Sequence, residues 1–266
     1  MASSITASSS ASENLRRDLP PWKIRDVLVG ILFTQIPVMA VLIGLQLLPQ
    51  SPTSGTQTHP VTQTAIIVTA IVIGAIEAAG EGVFLISPLY YARKRGRQAG
   101  AASIGYRALG FRSFNPLGTA GWIIVGFVIV YSAAIAYNYI LQHVVHNSSQ
   151  TNVQQLANQN LAQPILLAIA IVAVFIAPIA EELFFRGFMM EGFRKIMPAS
   201  LAIFLSGILF ALAHVQPGSF VLLLVAGWWL GFMRVRTRSI WPGVFFHMIN
   251  NAIAFVGVLT LPHLTF

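Results

Sequence analysis

The chain has 266 residues, of which 56% are hydrophobic and only 9% charged, and its mean hydropathy is +0.73. A soluble domain carries about 25% charged residues, so this composition excludes a soluble globular protein and indicates an integral membrane protein. The formal charge of +8 does not indicate nucleic-acid binding, because the basic residues lie between apolar runs, and the lack of cysteine excludes disulfides and thiolate nucleophiles.

The order of polar and apolar segments predicts the organisation of the chain. Residues 1–22, rich in Ser and Ala, predict a disordered polar tail. Seven apolar runs follow and predict membrane helices: Val27 to Leu48, Thr64 to Ala92, Gly118 to Leu141, Pro164 to about Phe188, Leu201 to Val215, Phe220 to Met233 and Trp241 to Leu261. We therefore predict an all-α polytopic bundle of about seven spans, with an eighth possible. Transmembrane helices occupy 23–160 and a catalytic core 161–266.

The distribution of charge predicts the topology. All 16 Lys and Arg residues lie in the N-terminal 25 residues or in segments 93–116, 186–195 and 234–238, whereas segments 49–63 and 142–163 contain none. By the positive-inside rule, the N-terminus and the basic segments face the cytoplasm. This pattern predicts a multi-pass protein of the cell membrane.

The second span carries two acids, Glu77 and Glu81, one helical turn apart on one face. Carboxylates inside a membrane often mark a proton or cation path, but a cavity-facing pair or a hydrogen bond between helices explains them equally well. The glycines nearby, Gly74, Gly80 and Gly82, predict close helix packing.

The fourth span ends in a second acidic group, Glu181 and Glu182, followed by Arg186. Glu182 and Arg186 are four residues apart and close enough to pair, whereas Glu181 points about 100° away and stays free. Pro178 removes one hydrogen bond of the helix and favours a bend just before the acids.

Two later spans add imidazoles. Ser206, Phe210 and His214 share one face of the fifth span, and His247 and Asn251 share one face of the last. At 1.5 Å per residue, His214 would lie about 20 Å and His247 about 10 Å from the basic side, so a shared site requires these depths to converge.

These residues are sufficient for hydrolysis by water without a Ser or Cys nucleophile. Glu181 can accept a proton from water, and an imidazole can hold that water. A second imidazole and an amide can stabilise an oxyanion. Alternatively, Glu181, His214 and His247 form a His2Glu set that suits a catalytic zinc. The residues alone leave both alternatives open.

Three motifs, EELFFR at 181–186, FALAH at 210–214 and HMINN at 247–251, resemble EExxxR, FxxxH and HxxxN of the CAAX-protease and bacteriocin-processing (CPBP) family of intramembrane endopeptidases. The resemblance covers about residues 164–255. It implies that Glu181 and His214 activate a water and that His247 and Asn251 bind the oxyanion. Glu182, Arg186 and Phe210 would support the site, and a zinc ion is left open.

The resulting hypothesis is an endopeptidase, of metal or glutamate type, that cleaves membrane-associated or lipid-tethered proteins and is reached from the cytoplasm. Its partners would be a membrane protein or peptide substrate and the lipid bilayer, and no nucleic acid. One alternative is a non-catalytic CPBP-fold protein of bacteriocin immunity or scaffolding. Another is a transporter that relays protons through Glu77, Glu81 and Glu181, although no inverted repeat supports it.

Overall fold

The computed structural model describes residues 19–47, 62–144 and 161–260. Within these residues the chain forms eight α-helices and no strand, which confirms the all-α prediction. The helices are α1 (residues 24–47), α2 (Gln63–Gln98), α3 (Ala102–Leu109), α4 (Pro116–His143), α5 (Gln163–Phe193), α6 (Ala199–Ala213), α7 (Phe220–Thr237) and α8 (Trp241–Thr260). The predicted tail up to residue 18 and most of the two segments without Lys or Arg, 49–63 and 142–163, lie outside the described residues.

Four helices, α2, α4, α5 and α7, are long and apolar enough to cross a membrane. Large apolar side chains such as Ile71 and Ile135 point outward and are about two-thirds exposed. Such extended apolar surface belongs in lipid, so the protein is a helical membrane bundle. Helix α6 has only 15 residues, and α1 and α8 border segments that are not described. The count of seven spans stays a prediction.

The helix that the sequence analysis does not predict is α3, which lies within the basic segment 93–116. It is too short to span a membrane. Its backbone packs directly on α2: a Cβ atom at Gly105 would lie 1.9 Å from the carbonyl oxygen of Ala92, so only glycine fits there. The eight helices are therefore the seven predicted apolar runs plus this short helix.

Helix α5 lies at the centre of the bundle. Helix α2 runs parallel to it, with Gly74 beside Ala168 and Phe84 against Phe184. Helices α6 and α7 form an antiparallel pair, and α4 and α8 pack on α7. The prediction of glycine packing in the second span holds for Gly74. Within the described residues it does not hold for Gly80 and Gly82, because a Cβ atom at either would meet no atom of another helix within 4 Å.

The N-terminal end of α1 is fixed to the basic end of the bundle. Trp22 is fully buried, and its indole N–H donates to the carbonyl oxygen of Phe188 at 3.1 Å. Asp26 accepts two hydrogen bonds from Arg95, at 2.6 and 2.8 Å. Lys195 donates to the main-chain oxygen of Trp22 at 2.8 Å. The residue just before the N-terminal end of α1, Trp22, is therefore packed on the bundle.

Helix α5 contains two π-helical segments, Val172–Ile176 and Leu183–Met189, one on each side of the two acids. π-Helical turns are rare and are frequent at functional sites. Pro178 lies between them and lacks the N–H that an α-helix would use, and the wider turn before it absorbs this loss. The helix continues through the proline to Phe193, about one turn further than predicted.

Candidate active site

The adjacent acids of α5 have different surroundings. Glu182 and Arg186 are fully buried, and the guanidinium Nη1 lies 2.6 Å from the carboxylate Oε1, as the spacing of four residues predicts. Arg186 also donates to the carbonyl oxygen of Gly227 on α7 at 3.3 Å and lies 4.2 Å from the ring centre of Phe210. Arg186 is thus a charge inside the bundle. Counting it among the cytoplasmic loop charges was wrong.

Glu181 is also buried, but its Oε2 atom has no hydrogen bond within the described residues. This oxygen lies 3.8 Å from Nε2 of His214 and 3.9 Å from Nε2 of His247. These distances exceed a direct hydrogen bond and suit a bridging water. Three helices, α5, α6 and α8, therefore bring one free carboxylate and two imidazoles together, as the motif order predicts.

His214 caps α6 and is oriented by its own helix. Its Nδ1 atom lies 2.7 Å from the carbonyl oxygen of Phe210, so a proton on Nδ1 leaves the Nε2 lone pair facing Glu181. The next residue, Val215, has a φ angle of 51°, in the left-handed region that β-branched residues avoid. Such strain persists only where the surrounding structure holds it, and it occurs often at functional sites.

His247 and Asn251 face α5 from α8. Nδ1 of His247 lies 3.4 Å from Oε1 of Glu182, but the geometry is not that of a hydrogen bond. The Asn251 amide donates to the carbonyl oxygen of Ala173 at 2.8 Å. One of its two N–H groups is thereby occupied by the backbone of α5, and the other is left for a ligand.

Phe210 is the aromatic centre of this cluster. Its ring packs edge-on against both imidazoles, with centroid distances of 4.6 Å to His214 and 5.8 Å to His247. The guanidinium of Arg186 lies over the same ring, which is almost completely buried. Phe210 therefore contacts both the buried ion pair and the two imidazoles.

The depth conflict raised by the sequence is resolved by where α8 begins. The N–H of Ile240, just before α8, donates to the carbonyl oxygen of Gly110, and a Cβ atom at Gly187 would lie 2.8 Å from the neighbouring carbonyl oxygen of Leu109. Helix α8 therefore starts near the level of Gly187, about 9 Å inward from the end of α5 at Phe193. His247, about 10 Å along α8, and His214, about 20 Å along α6, therefore lie at a similar depth in the bundle.

Sequence reasoning misses the role of Gly243 at the site. A Cβ atom there would lie 2.8 Å from Oε2 of Glu182, so this residue lets α8 approach the buried acid closely. The sequence signal for this role is the Trp241-Pro242-Gly243 segment before the last histidine.

Sequence reasoning also misses a further buried acid, Glu191, which pairs with Arg194 at 2.8 Å and with Arg234 at 3.1 Å.

Of the two acids on α2, Glu81 belongs to the surroundings of the site. Its Oε2 atom is buried without a hydrogen bond within the described residues, and its carboxyl group is close enough to Glu181 for the two to interact electrostatically. Glu77, one turn away, is half-buried. The two acids are therefore not equivalent.

The proposed zinc ligands match zinc in kind but not in spacing. Donor atoms of a tetrahedral zinc site, with bonds of about 2.0–2.1 Å, lie about 3.3 Å apart. Here the Glu181 oxygen lies 3.8 and 3.9 Å from the two imidazole nitrogens. Across the parts of the chain that are described, no group of three His, Cys, Asp or Glu residues could hold a metal ion.

Comparison with known proteins identifies the C-terminal region. Residues 163–253 match the family model described as type II CAAX prenyl endopeptidase Rce1-like. The match begins at the first residue of α5 and ends within α8. This match supports the resemblance of the region to the CPBP family. The matched region contains Glu181, His214, His247 and Asn251, whereas Glu77 and Glu81 lie outside it.

A second comparison finds a bacterial relative. The chain is 26% identical over 141 residues to a Bacillus subtilis (strain 168) protein named "Putative membrane peptidase YdiL". The aligned segment covers 53% of this chain and 56% of the relative, so the similarity spans about half the length of each protein. No solved structure matches the chain.

Proposed function

We propose that the protein is an intramembrane endopeptidase that hydrolyses peptide bonds of membrane-associated or lipid-tethered proteins by means of an activated water. The observation that carries this proposal is the unbonded Oε2 atom of Glu181, which faces the Nε2 atoms of two imidazoles inside the bundle. The family match and the relative's name, which refers to a membrane peptidase, support the same reaction class.

In the first step, a water held between Glu181 and His214 loses a proton to the carboxylate while its oxygen attacks the substrate carbonyl carbon. The fixed Nδ1 contact of His214 leaves its Nε2 atom to accept a hydrogen bond from that water. The water thus reacts in an oriented form within an apolar site, where proton transfer to a positioned base contributes about 10²–10⁴-fold to the rate.

In the second step, the negative charge on the carbonyl oxygen is stabilised by donors on α8. His247 donates through Nε2 and Asn251 through the amide hydrogen that Ala173 does not occupy. Removal of one such donor costs about 2.7–4 kcal/mol of barrier. Glu181 then returns its proton to the leaving nitrogen, the C–N bond breaks, and the carboxylate is regenerated.

The pair of Glu182 and Arg186 is proposed to support the site. Its members hold α5 against α7, because Arg186 also donates to the carbonyl oxygen of Gly227. Since Arg186 binds Glu182 and not Glu181, one acid is held in an ion pair and its neighbour is left available to accept a proton. Phe210 contacts Arg186 and both imidazoles, and so helps to hold these side chains in place.

A cavity beside His214 offers space for a substrate segment. Its volume is about 520 Å³, and its lining includes Met39 of α1, Tyr137 of α4, Leu212 of α6 and Phe220 of α7. The lining is mainly apolar, which suits a segment that is itself buried in lipid. These lining residues lie in the half of the bundle remote from the basic helix ends. We propose a multi-pass protein of the cell membrane, in which the substrate segment reaches His214 laterally through this cavity.

The direct test is a peptide-release screen on the purified protein in lipid nanodiscs, with membrane-anchored peptides as substrates. The wild-type protein should release peptide fragments, and Glu181→Ala should release none while it retains the wild-type unfolding temperature. Full cleavage by the variant would exclude this role of Glu181. A folded wild type that binds peptides but cleaves none would instead favour the non-catalytic alternative.

The same screen with a chelator addresses zinc. A water activated by protein groups alone predicts that cleavage survives chelation. If chelation abolishes cleavage and added zinc restores it, then Glu181, His214 and His247 hold a metal ion in the active protein. The separation of their donor atoms would then have to contract on metal binding.

A further inference from the structure

A second cavity, distant from the candidate active site, lies at the junction of α2 and α3. It has a volume of about 540 Å³ and is lined by Leu89, Tyr90, Arg93, Lys94, Arg97 and Tyr106. Half of these side chains are cationic and none is acidic. This cavity, here called the α2–α3 basic cavity, is therefore electropositive and open to solvent.

The register of α2 places its cations on one face. Tyr90, Arg93, Lys94 and Arg97 follow the spacing i, i+3, i+4 and i+7, so their side chains share one side of the helix. The ammonium group of Lys94 donates to the Tyr90 hydroxyl at 2.9 Å. Tyr106 closes the cavity from α3.

Most of this charge is not neutralised. Arg95 points away from the cavity and pairs with Asp26. Arg93 and Arg97 are exposed and have no carboxylate partner within the described residues. The positive-inside rule requires positive charge near the end of a membrane helix, but it does not require any particular arrangement of the side chains. It therefore does not explain why these cations line a cavity together with two tyrosines.

The surface next to the cavity is apolar. Ile86, one turn before Tyr90 towards the middle of α2, is 64% exposed, and Leu89, the residue directly before Tyr90, is 37% exposed. A ligand that matches both parts has an anionic head beside Arg93 and Arg97 and a hydrocarbon chain beside Ile86.

We propose that the α2–α3 basic cavity binds the phosphate of an anionic phospholipid, whose acyl chains lie along Ile86 and Leu89. Arginine binds phosphate oxygens through its forked donors, and basic pockets between membrane helices bind anionic head groups. A free phosphate would satisfy the arginines but leave the apolar face uncovered, so charge and shape together favour the lipid.

The test measures lipid retained by the full-length protein. Purified protein is equilibrated with equal amounts of phosphatidylglycerol and phosphatidylcholine in mixed micelles, and bound lipid is counted by native mass spectrometry. The wild type should retain phosphatidylglycerol in preference. The double variant Arg93→Gln/Arg97→Gln should reduce that preference by about tenfold or more, because each basic side chain near an anionic lipid contributes roughly fivefold.

The matched control is Arg25→Gln/Arg236→Gln, which removes the same charge from two exposed arginines outside the cavity. It should retain the wild-type preference. Equal loss in both double variants, or no loss in the cavity variant, would overturn the proposal. Displacement of the bound lipid by millimolar inorganic phosphate would also overturn it, since the site would then recognise phosphate alone. The unfolding temperatures of all variants are compared with that of the wild type. If the cavity double variant does not fold, the single variant Arg97→Gln takes its place.

Discussion

Oε2 of Glu181 lies 3.8 Å from Nε2 of His214, although the two residues lie on different helices and far apart in the chain. The carboxylate oxygen has no hydrogen bond within the described residues, and the imidazole is fixed through its other nitrogen. The gap is too wide for a strong direct bond and suitable for one water. A buried carboxylate left without a partner costs stability, which indicates a function beyond folding.

Breaking the buried ion pair should destabilise the helical bundle, and not only lower the rate of peptide cleavage. Arg186→Ala leaves Glu182 as an uncompensated buried charge, so we expect the free energy of unfolding to fall by about 3–5 kcal/mol. Chemical denaturation in detergent measures this. Arg194→Ala is the control, because Arg194 pairs with Glu191 but is partly exposed, and it should cost far less. Equal losses would contradict the structural role of Arg186.

The two acids of α2 should differ in their effects. Glu81 carries a buried carboxyl oxygen without a hydrogen bond within the described residues, whereas Glu77 has no such atom there. We therefore expect Glu81→Gln to lower kcat/KM about tenfold, equivalent to about 1.4 kcal/mol, and Glu77→Gln to leave it unchanged. Proton flux in liposomes that stops in both variants, with cleavage unaffected, would support a transporter instead.

The cavity beside His214 should be sensitive to blocking. Leu212 lines it and is 46% exposed, so Leu212→Trp fills space that a substrate would need without disturbing the core. We expect about a tenfold loss of kcat/KM, mainly through KM. Leu201→Trp, on the same helix and 44% exposed, serves as the control and should cleave normally. Unchanged kinetics in Leu212→Trp would place the substrate elsewhere.

Low pH should weaken the attachment of α1. Burial alone would raise the pKa of Asp26. Hydrogen bonds from Arg95 and from the main chain of Lys23 lower it by more, so the pKa of Asp26 lies below the ordinary value of 3.8. The pair therefore contributes stability above that value and loses it as the pH falls through the lower folded-state pKa. The unfolding temperature of the wild type should fall towards that of Asp26→Asn below about pH 4. A difference between the two proteins that does not depend on pH would contradict this.

Much of the helical content and the grouping of the site residues were readable from the sequence, and the reasons are local. Apolar runs predict the helices, and the spacing of four residues predicts the contact between Glu182 and Arg186. The positions of His214 and His247 along their helices did not predict a common depth, because that depth depends on contacts between the segment before α8 and Gly110. Helix α3 was missed because it has only eight residues and lies inside a basic segment between two long apolar runs.

The central claim is that Glu181 acts in the reaction and not in folding. Glu181→Gln keeps the size of the side chain and removes its basic group, so the rate of peptide cleavage and the free energy of unfolding should be measured on the same purified sample. We predict a loss of cleavage of at least about 100-fold with stability equal to or above that of the wild type, because an unpaired buried carboxylate is removed. Cleavage near the wild-type rate, or unfolding of the variant, would contradict the account.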